Sequence, residues 1–171
     1  MLRLRPYKKC DAEKIASWIL GEKSFYQWSA GILGAYPFSG ERLQTHYEGM
    51  EENDAFWVMV AFDEEGPVGQ LIMRFLSEDK EELRFGFIVV DASKRGQGYG
   101  KEMLQLALQY AFESVKVSRV SLGVFANNPS AYHCYRSVGF QELPGREVYT
   151  IQGEPWECIM MEMEKPAREN G

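Results

Sequence analysis

The stretch "ELRFGFIVVDASKRGQGYGKEMLQLALQYAF", residues 82–112, changes its pattern twice. It opens as an apolar run rich in branched and aromatic residues, the composition of a buried strand. It then breaks into a loop with Gly96, Gly98 and Gly100 at alternate positions, bracketed by Arg95 and Lys101. It closes with Met103, Leu104, Ala107, Leu108, Ala111, Phe112 and, just beyond, Val115 at helical spacing. A helix start exposes unpaired N–H groups and carries partial positive charge, which makes it a ready anion site. Glycines let the backbone approach a phosphate closely. The junction therefore predicts a pyrophosphate cradle, beside the plainer alternative of a tight strand-to-helix turn.

The pattern on either side places this junction in an alternating fold. "LRLRPY" reads as a first strand, and "DAEKIASWIL" as a helix capped by Asp11 with Ile15, Trp18 and Ile19 on one face. Residues 22–40 read as an aromatic, glycine-bearing connection, and "SGERLQTHYEGMEEN" as a second helix capped near Ser39. "AFWVMVAF" and "PVGQLIMRFL" form a hairpin across the turn "DEEG". Gly86, inside the next strand, signals a bulge or a close backbone approach. After the helix of about residues 99–115 comes the strand "RVSLGVFA", which makes a β-α-β unit with parallel strands. A short helix follows, with Asn128 as cap, Pro129 in its first turn and Gly139 at its end. Two strands near "REVYTI" and "WECIMMEME" flank the turn "QGEP". The expected architecture is α/β, a central mixed sheet flanked by helices, in one domain over residues 1–165 with a loose tail at 166–171.

Which anion fits the loop is narrowed by spacing. A Walker loop requires Ser or Thr after Gly100-Lys101, where Glu102 stands. The dinucleotide fingerprint requires glycine at Lys101 or Met103. What fits is R-x-x-G-x-G, as Arg95, Gly98 and Gly100. Farther on, "NPSAYHCYRSVGF" supplies Asn128, Ala131, Tyr135, Gly139 and Phe140 in the pattern N-x-x-A-x-x-x-Y-x-x-x-G-F. On these two motifs the chain resembles the GNAT superfamily of N-acetyltransferases. The resemblance extends over about residues 2–164 and is strongest over 83–143.

That resemblance implies acetyl-CoA as cosubstrate. Its pyrophosphate would lie on the N–H groups of Gly96, Gln97, Gly98, Tyr99, Gly100 and Lys101, with Arg95 adding charge at the same place. Its pantetheine arm would pair with the strand backbone near Ile88 and Val90, and an N–H near Val90 would steady the developing oxyanion. Asn128 would cap its helix and touch the cofactor. Tyr135 would be the proton donor to the departing thiolate, with Tyr132 the lesser candidate. A phenol of reference pKa ~10 is protonated at neutral pH and can donate. The implied activity is acetyl transfer to a primary amine of a small molecule, peptide or protein. A non-catalytic acyl-CoA sensor on the same fold is the alternative. Glu81, Glu82 and His46 are the candidate bases, each with an ordinary surface role as the competing reading. Cys134 reads as a packed thiol. Phe25, Tyr26, Trp28, Tyr36 and Phe38 frame an acceptor pocket or simply pack on the core.

Composition sets the outer bounds. The chain has 171 residues, 45% hydrophobic and 26% charged, with a net charge of −6. An acidic balance argues against nucleic acid, which seeks a basic face. No apolar run approaches the length of a membrane span. The opening "MLRLRPYKKCDAEK" lacks the apolar core of a secretory signal, so the expected location is cytoplasmic. Cys10, Cys134 and Cys158 match neither a disulfide framework nor a metal motif. The strand "WECIMMEME" leaves room for pairing across a homodimer.

Overall fold

The computed structural model describes residues 1–167. A seven-stranded sheet runs in the order β1-β2-β3-β4-β5-β7-β6. The strands are β1 (Arg3–Pro6), β2 (Phe56–Asp63), β3 (Gly66–Phe75), β4 (Glu82–Val90), β5 (Arg119–Phe125), β6 (Gln141–Ile151) and β7 (Glu154–Glu164). Every neighbouring pair is antiparallel except β4–β5, the parallel pair that the β-α-β pattern predicts. The helices are α1 (Ala12–Ser17), α2 (Glu22–Ser29), α3 (Gly40–Glu48), α4 (Tyr99–Gln109) and α5 (Pro129–Val138). A π-helical segment, Tyr110–Val115, continues α4 to the end of its predicted span.

Two apolar layers hold the sheet between them. On one face Met103, Leu104, Ala107 and Leu108 of α4, with Tyr135 of α5, pack on Leu71, Met73, Leu83, Phe85 and Leu122. On the other, Ile15 and Trp18 of α1, Phe25 and Tyr26 of α2 and Leu43 and Tyr47 of α3 pack on Val58, Val60, Ile72, Phe87 and Val89. Local chemistry sets the helix ends. Ser39 Oγ accepts the Arg42 N–H at 3.3 Å, and the Asn128 side chain accepts that of Ala131 at 3.4 Å. Asp11 stands just before α1, but its carboxylate does not cap the helix. It accepts two hydrogen bonds from the Arg5 guanidinium, at 2.8 and 2.9 Å, and the Lys8 N–H at 2.8 Å.

Two further expectations are corrected. Residues 22–40 contain α2, and Phe25 and Tyr26 lie on its buried face, so most of the aromatic segment is core. The glycines on both sides of α2 hide an eight-residue helix inside what reads as a loop. The strand "WECIMMEME" is not free to pair across a dimer. It is β7, bonded to β5 on one edge and β6 on the other, and β6 is the sheet edge. The two-residue turn Gln152–Gly153, both at positive φ, folds β6 back against β7 as a primed hairpin turn would. The expected tail, 166–171, falls largely outside the described residues.

β4 carries the feature that shapes the site. Between the pairs Gln70↔Val89 and Ile72↔Gly86, β4 has one residue more than β3. Phe87 takes up this bulge at φ 46, a left-handed conformation unusual for a bulky residue. One extra residue reverses the alternation. Leu83 and Phe85 face α4, whereas Phe87 and Val89 face α1–α3. Gly86 beside the bulge is closely packed: an added Cβ would lie 3.2 Å from Ile72 Cγ1, so the Ile72 side chain would have to give way. The buried Gln70 holds the bulge. Its Nε2 donates to the Phe87 carbonyl at 2.6 Å, and its Oε1 accepts the Tyr47 hydroxyl at 2.9 Å.

The β4–β5 ladder covers only Glu82–Arg84 against Arg119–Ser121. Beyond it the strands separate, leaving a gap between the second half of β4 and that of β5.

Replacing Gln70 with Leu keeps the volume but strands two buried polar groups. The expected loss is about 1–3 kcal/mol of unfolding free energy in urea denaturation. A loss below about 0.5 kcal/mol would mean that the bulge does not depend on this side chain.

Candidate active site

The glycine loop begins where β4 ends. Asp91 Oδ1 accepts the N–H and Oγ of Ser93, at 2.9 and 2.8 Å, which turns the chain out of the sheet. Gly96 and Gly98 stand at φ 80 and 82, where a side chain would be strained. A Cβ at either would meet nothing within 4 Å, so the loop faces open space. Among the described residues, none of the N–H groups of residues 96–101 has a protein acceptor. The first helical bond is Glu102 N–H to the Gly98 carbonyl, at 3.0 Å. Arg95 and Lys101 are exposed and form no ion pair among the described residues. Unpaired N–H groups at a helix start with two cations beside them have the geometry of an anion cradle.

Two neighbours are committed elsewhere. The Tyr99 hydroxyl donates to Asp63 Oδ2 at 2.9 Å, and Lys94 Nζ lies 2.6 Å from Glu65 Oε2. They tie the loop to the β2–β3 turn, which leaves Tyr99 its backbone N–H for the cradle.

From the loop a cavity of about 300 Å³ runs into the gap between β4 and β5. Ile88, Val90, Arg95, Gly100, Asn128 and Tyr135 line it, so the separate motifs converge on one space. Tyr135 is 7% exposed, and its hydroxyl has no protein partner among the described residues. Burial holds its phenol well above the usual range, with Cys134 adding slightly to the effect. It is thus a protonated donor facing a cavity. Tyr132, by contrast, donates to Glu142 Oε2 at 3.0 Å. Cys134 also lines the cavity, and a Cβ on Gly100 would be 3.7 Å from its sulfur. Burial raises the Cys134 thiol, and Lys101 only partly opposes this, so it is no nucleophile at neutral pH.

On the opposite face of the sheet the cavity opens beside α2. Trp28 lines it, packs on Phe87 at 5.2 Å between ring centroids, and has a buried indole N–H with no partner among the described residues. Gln27 reaches across to the Asn127 carbonyl at 3.1 Å. The candidate bases fare unequally. Glu82 sits at the closed end of the β4–β5 pair, 2.7 Å from both Arg119 Nε and Ser121 Oγ. Those bonds hold its carboxyl below the usual range against the opposing effect of burial. Glu81 accepts the Ser118 hydroxyl at the same end. His46 lies with its ring 6.0 Å from that of Phe87, and partial burial lowers its pKa, which keeps the imidazole neutral. None of the three lines the cavity.

A groove of about 630 Å³ lies elsewhere, along Leu108, Phe112, Val138 and Met163, and holds no motif residue.

With this geometry in place, comparison with known proteins is direct. The family model for the acetyltransferase (GNAT) family matches residues 21–140. The chain belongs to the GNAT acetyltransferase family. Spermidine N(1)-acetyltransferase of Vibrio cholerae is 31% identical over 55 residues, 32% of either chain. A UPF0039 protein of Schizosaccharomyces pombe is 29% identical over 90 residues, 53% of this chain. The chain spans 57% of the length of that yeast protein and 32% of the Vibrio one. The crystal structure of Vibrio cholerae spermidine N-acetyltransferase in complex with CoA and spermine superposes with a TM-score of 0.79, covering 95% of each chain at 21% identity. That likeness establishes the GNAT fold: a mixed seven-stranded sheet with helices on both faces.

Several residues that shape this GNAT site are not evident from the sequence read alone. Gln70 and Phe87 act through the bulge, and Gln27 and Trp28 through a helix that reads as a loop. One signal was available. Gly86 and Gly123 stand at matching places on two adjacent parallel strands, and both line the cavity.

Burial of Cys134 predicts an order of thiol labelling. At pH 7 exposed Cys10 reacts first with an aromatic disulfide reagent, and Cys134 lags by about tenfold or more. Its raised pKa leaves it protonated past the ordinary thiol range, so its rate keeps rising as pH is taken above that range. Saturating CoA slows it further. Equal rates for the two thiols would contradict the cavity described.

Proposed function

We propose that this GNAT protein transfers the acetyl group of acetyl-CoA to a primary amine of a small molecule. The observation that carries the reading is the alignment of an unpaired N–H cradle, an opened strand edge and a partnerless buried tyrosine along one cavity. The fit to the cosubstrate is chemical. Six N–H groups without acceptors suit a pyrophosphate, and Gly96 and Gly98 leave its approach clear. The unpaired β4 edge suits a strand-like amide arm, which would satisfy otherwise orphaned backbone groups.

When bound, acetyl-CoA supplies an acetyl thioester, whose carbonyl carbon bonds to the amine nitrogen as its C–S bond breaks. The chain's own residues do the rest. Residues 96–101, with Arg95 and Lys101, hold the phosphates. The backbone near Ile88 and Val90 aligns the arm, and Asn128 borders it. Tyr135 delivers its proton to the departing sulfur. The amine must arrive neutral, and its proton leaves to water, because none of Glu81, Glu82 and His46 lines the cavity.

Tyr135 also weighs against a pure sensor, which has no use for a proton donor at this depth. The wider reading takes in a cytoplasmic location, which the free cysteines suit. No helix among the described residues is long and apolar enough to cross a membrane. A homodimer built by strand addition would use an outer strand of the sheet, β6 or β1.

Calorimetry with acetyl-CoA, CoA and ATP tests the cosubstrate. Binding of the first two and not of ATP is expected, and failure of acetyl-CoA to bind folded protein overturns the reading. In turnover assays Tyr135→Phe is expected to lower kcat about 10²-fold. Its acetyl-CoA Kd should stay within about threefold of the parent. Because the folded phenol titrates above its reference value, the parent should show no alkaline loss from Tyr135 below about pH 10.

A further inference from the structure

The glycine loop is fastened at both ends to one turn. β3 runs antiparallel to β4, with Gly69 opposite Val90 and the Asp91 N–H donating to the Val68 carbonyl at 2.7 Å. That register sets the turn of residues 63–66 beside the loop that leaves β4. Before the loop, Lys94 Nζ lies 2.6 Å from Glu65 Oε2 and 3.8 Å from Asp63 Oδ2. After it, the Tyr99 hydroxyl donates to the same Asp63 Oδ2 at 2.9 Å. Residues 95–98 span the two ties and include Gly96 and Gly98, both left-handed.

Asp63 is the common point. Its Oδ1 accepts the Glu65 N–H at 2.8 Å, which fixes the carboxylate within its own turn. Its side chain is 6% exposed. The Glu65 N–H first, then the Tyr99 hydroxyl and Lys94, hold its carboxyl below the usual carboxylate range against the opposing effect of burial. Asp63 is thus an ionised acceptor, locked in place at neutral pH and set outside the cavity lining. Tyr99 is the first residue of α4, and its N–H is one of those left open in the cradle. Fixing its side chain fixes where that N–H and those of its glycine neighbours point.

Nothing inside the loop supplies such a fastening. The N–H groups of residues 96–98 have no protein acceptor among the described residues. Glycines also have the most backbone freedom to lose on ordering. An untethered loop would lose that freedom only when a phosphate arrives. Ordering it beforehand raises affinity without adding a contact.

We propose that Asp63 is a positioning residue for the diphosphate of the cosubstrate: by receiving the Tyr99 hydroxyl, it holds the glycine loop in its anion-binding form before the ligand arrives. This rests on the acetyltransferase reading and adds to it a residue that touches neither cosubstrate nor amine. Charge alone would give Asp63 the opposite effect. A bystander carboxylate near a diphosphate repels it, so removing the carboxylate would tighten binding, whereas removing a tether weakens it.

The test measures the acetyl-CoA Kd by calorimetry for the parent, Tyr99→Phe, Asp63→Ala and Asp63→Asn, with thermal melts of all four. Tyr99→Phe changes no charge and keeps the ring, and it is expected to raise Kd about fivefold to tenfold, as loss of one hydrogen bond to a charged group would. Asp63→Ala is expected to raise it similarly despite losing a negative charge. Asp63→Asn still offers Tyr99 a hydrogen bond, so its Kd should stay at or below that of the parent. Limited trypsin digestion of the unliganded protein reads the loop itself. Cleavage after Arg95 should be about fivefold faster in Tyr99→Phe and Asp63→Ala, with sites outside residues 94–101 unaffected. Unchanged Kd in Tyr99→Phe, tighter binding by Asp63→Ala, an Asp63→Asn variant as weak as Asp63→Ala, or faster cleavage at all sites alike overturns the tether and leaves acetyl transfer intact. Failure of acetyl-CoA to bind the folded parent removes the acetyltransferase reading and the tether's role with it.

Discussion

Gln70 Nε2 donates to the Phe87 carbonyl at 2.6 Å inside a buried layer, and much of the site's geometry rests on that contact. A residue at φ 46 with a phenylalanine side chain does not hold its conformation unaided. The bond from Gln70, the packing of Phe87 against Trp28 and the absence of a side chain at Gly86 hold it together. The bulge has two effects. It reverses which face each β4 residue meets, so that Ile88 and Val90 turn toward α4 and the cavity. It also bends β4 where its ladder with β5 has already ended. A regular β4 paired along its whole length would close the gap and bury Tyr135 against a finished sheet.

An open gap is costly to a bare protein. Backbone groups on the facing strand edges, and the N–H groups of residues 96–101, lack the partners that secondary structure normally provides. Solvent can serve them, because loop and gap are both open. A ligand that offers acceptors at one end and amide-like groups along its length would give those groups partners directly. Binding of such a ligand stabilises the folded chain by mass action, so the same feature links function to stability.

How far the sequence discloses this differs from one element to the next. The strand, glycine loop and helix of residues 82–115 are legible because local rules suffice: β-rich composition, positive-φ glycines, helical spacing. Asn128, Tyr135 and Gly139 follow from a second local pattern. α2 is hidden because Gly21, Gly31 and Gly34 advertise a loop, while the face that makes it a helix is revealed only by what it packs against. The place of β7 between β5 and β6 is a tertiary matter, since a hairpin can be laid down either way round. Asp11 looks like a cap, but a carboxylate prefers two charged hydrogen bonds from Arg5 to one neutral bond from a helix end.

Net charge is a poor guide to a site. A chain at −6 suggests a cationic partner, yet summed charge governs solubility and long-range steering, whereas recognition depends on charges left without counter-ions at short range. Most acids near the sheet's open face are already engaged by Arg119, Arg146, Ser121 or Tyr149.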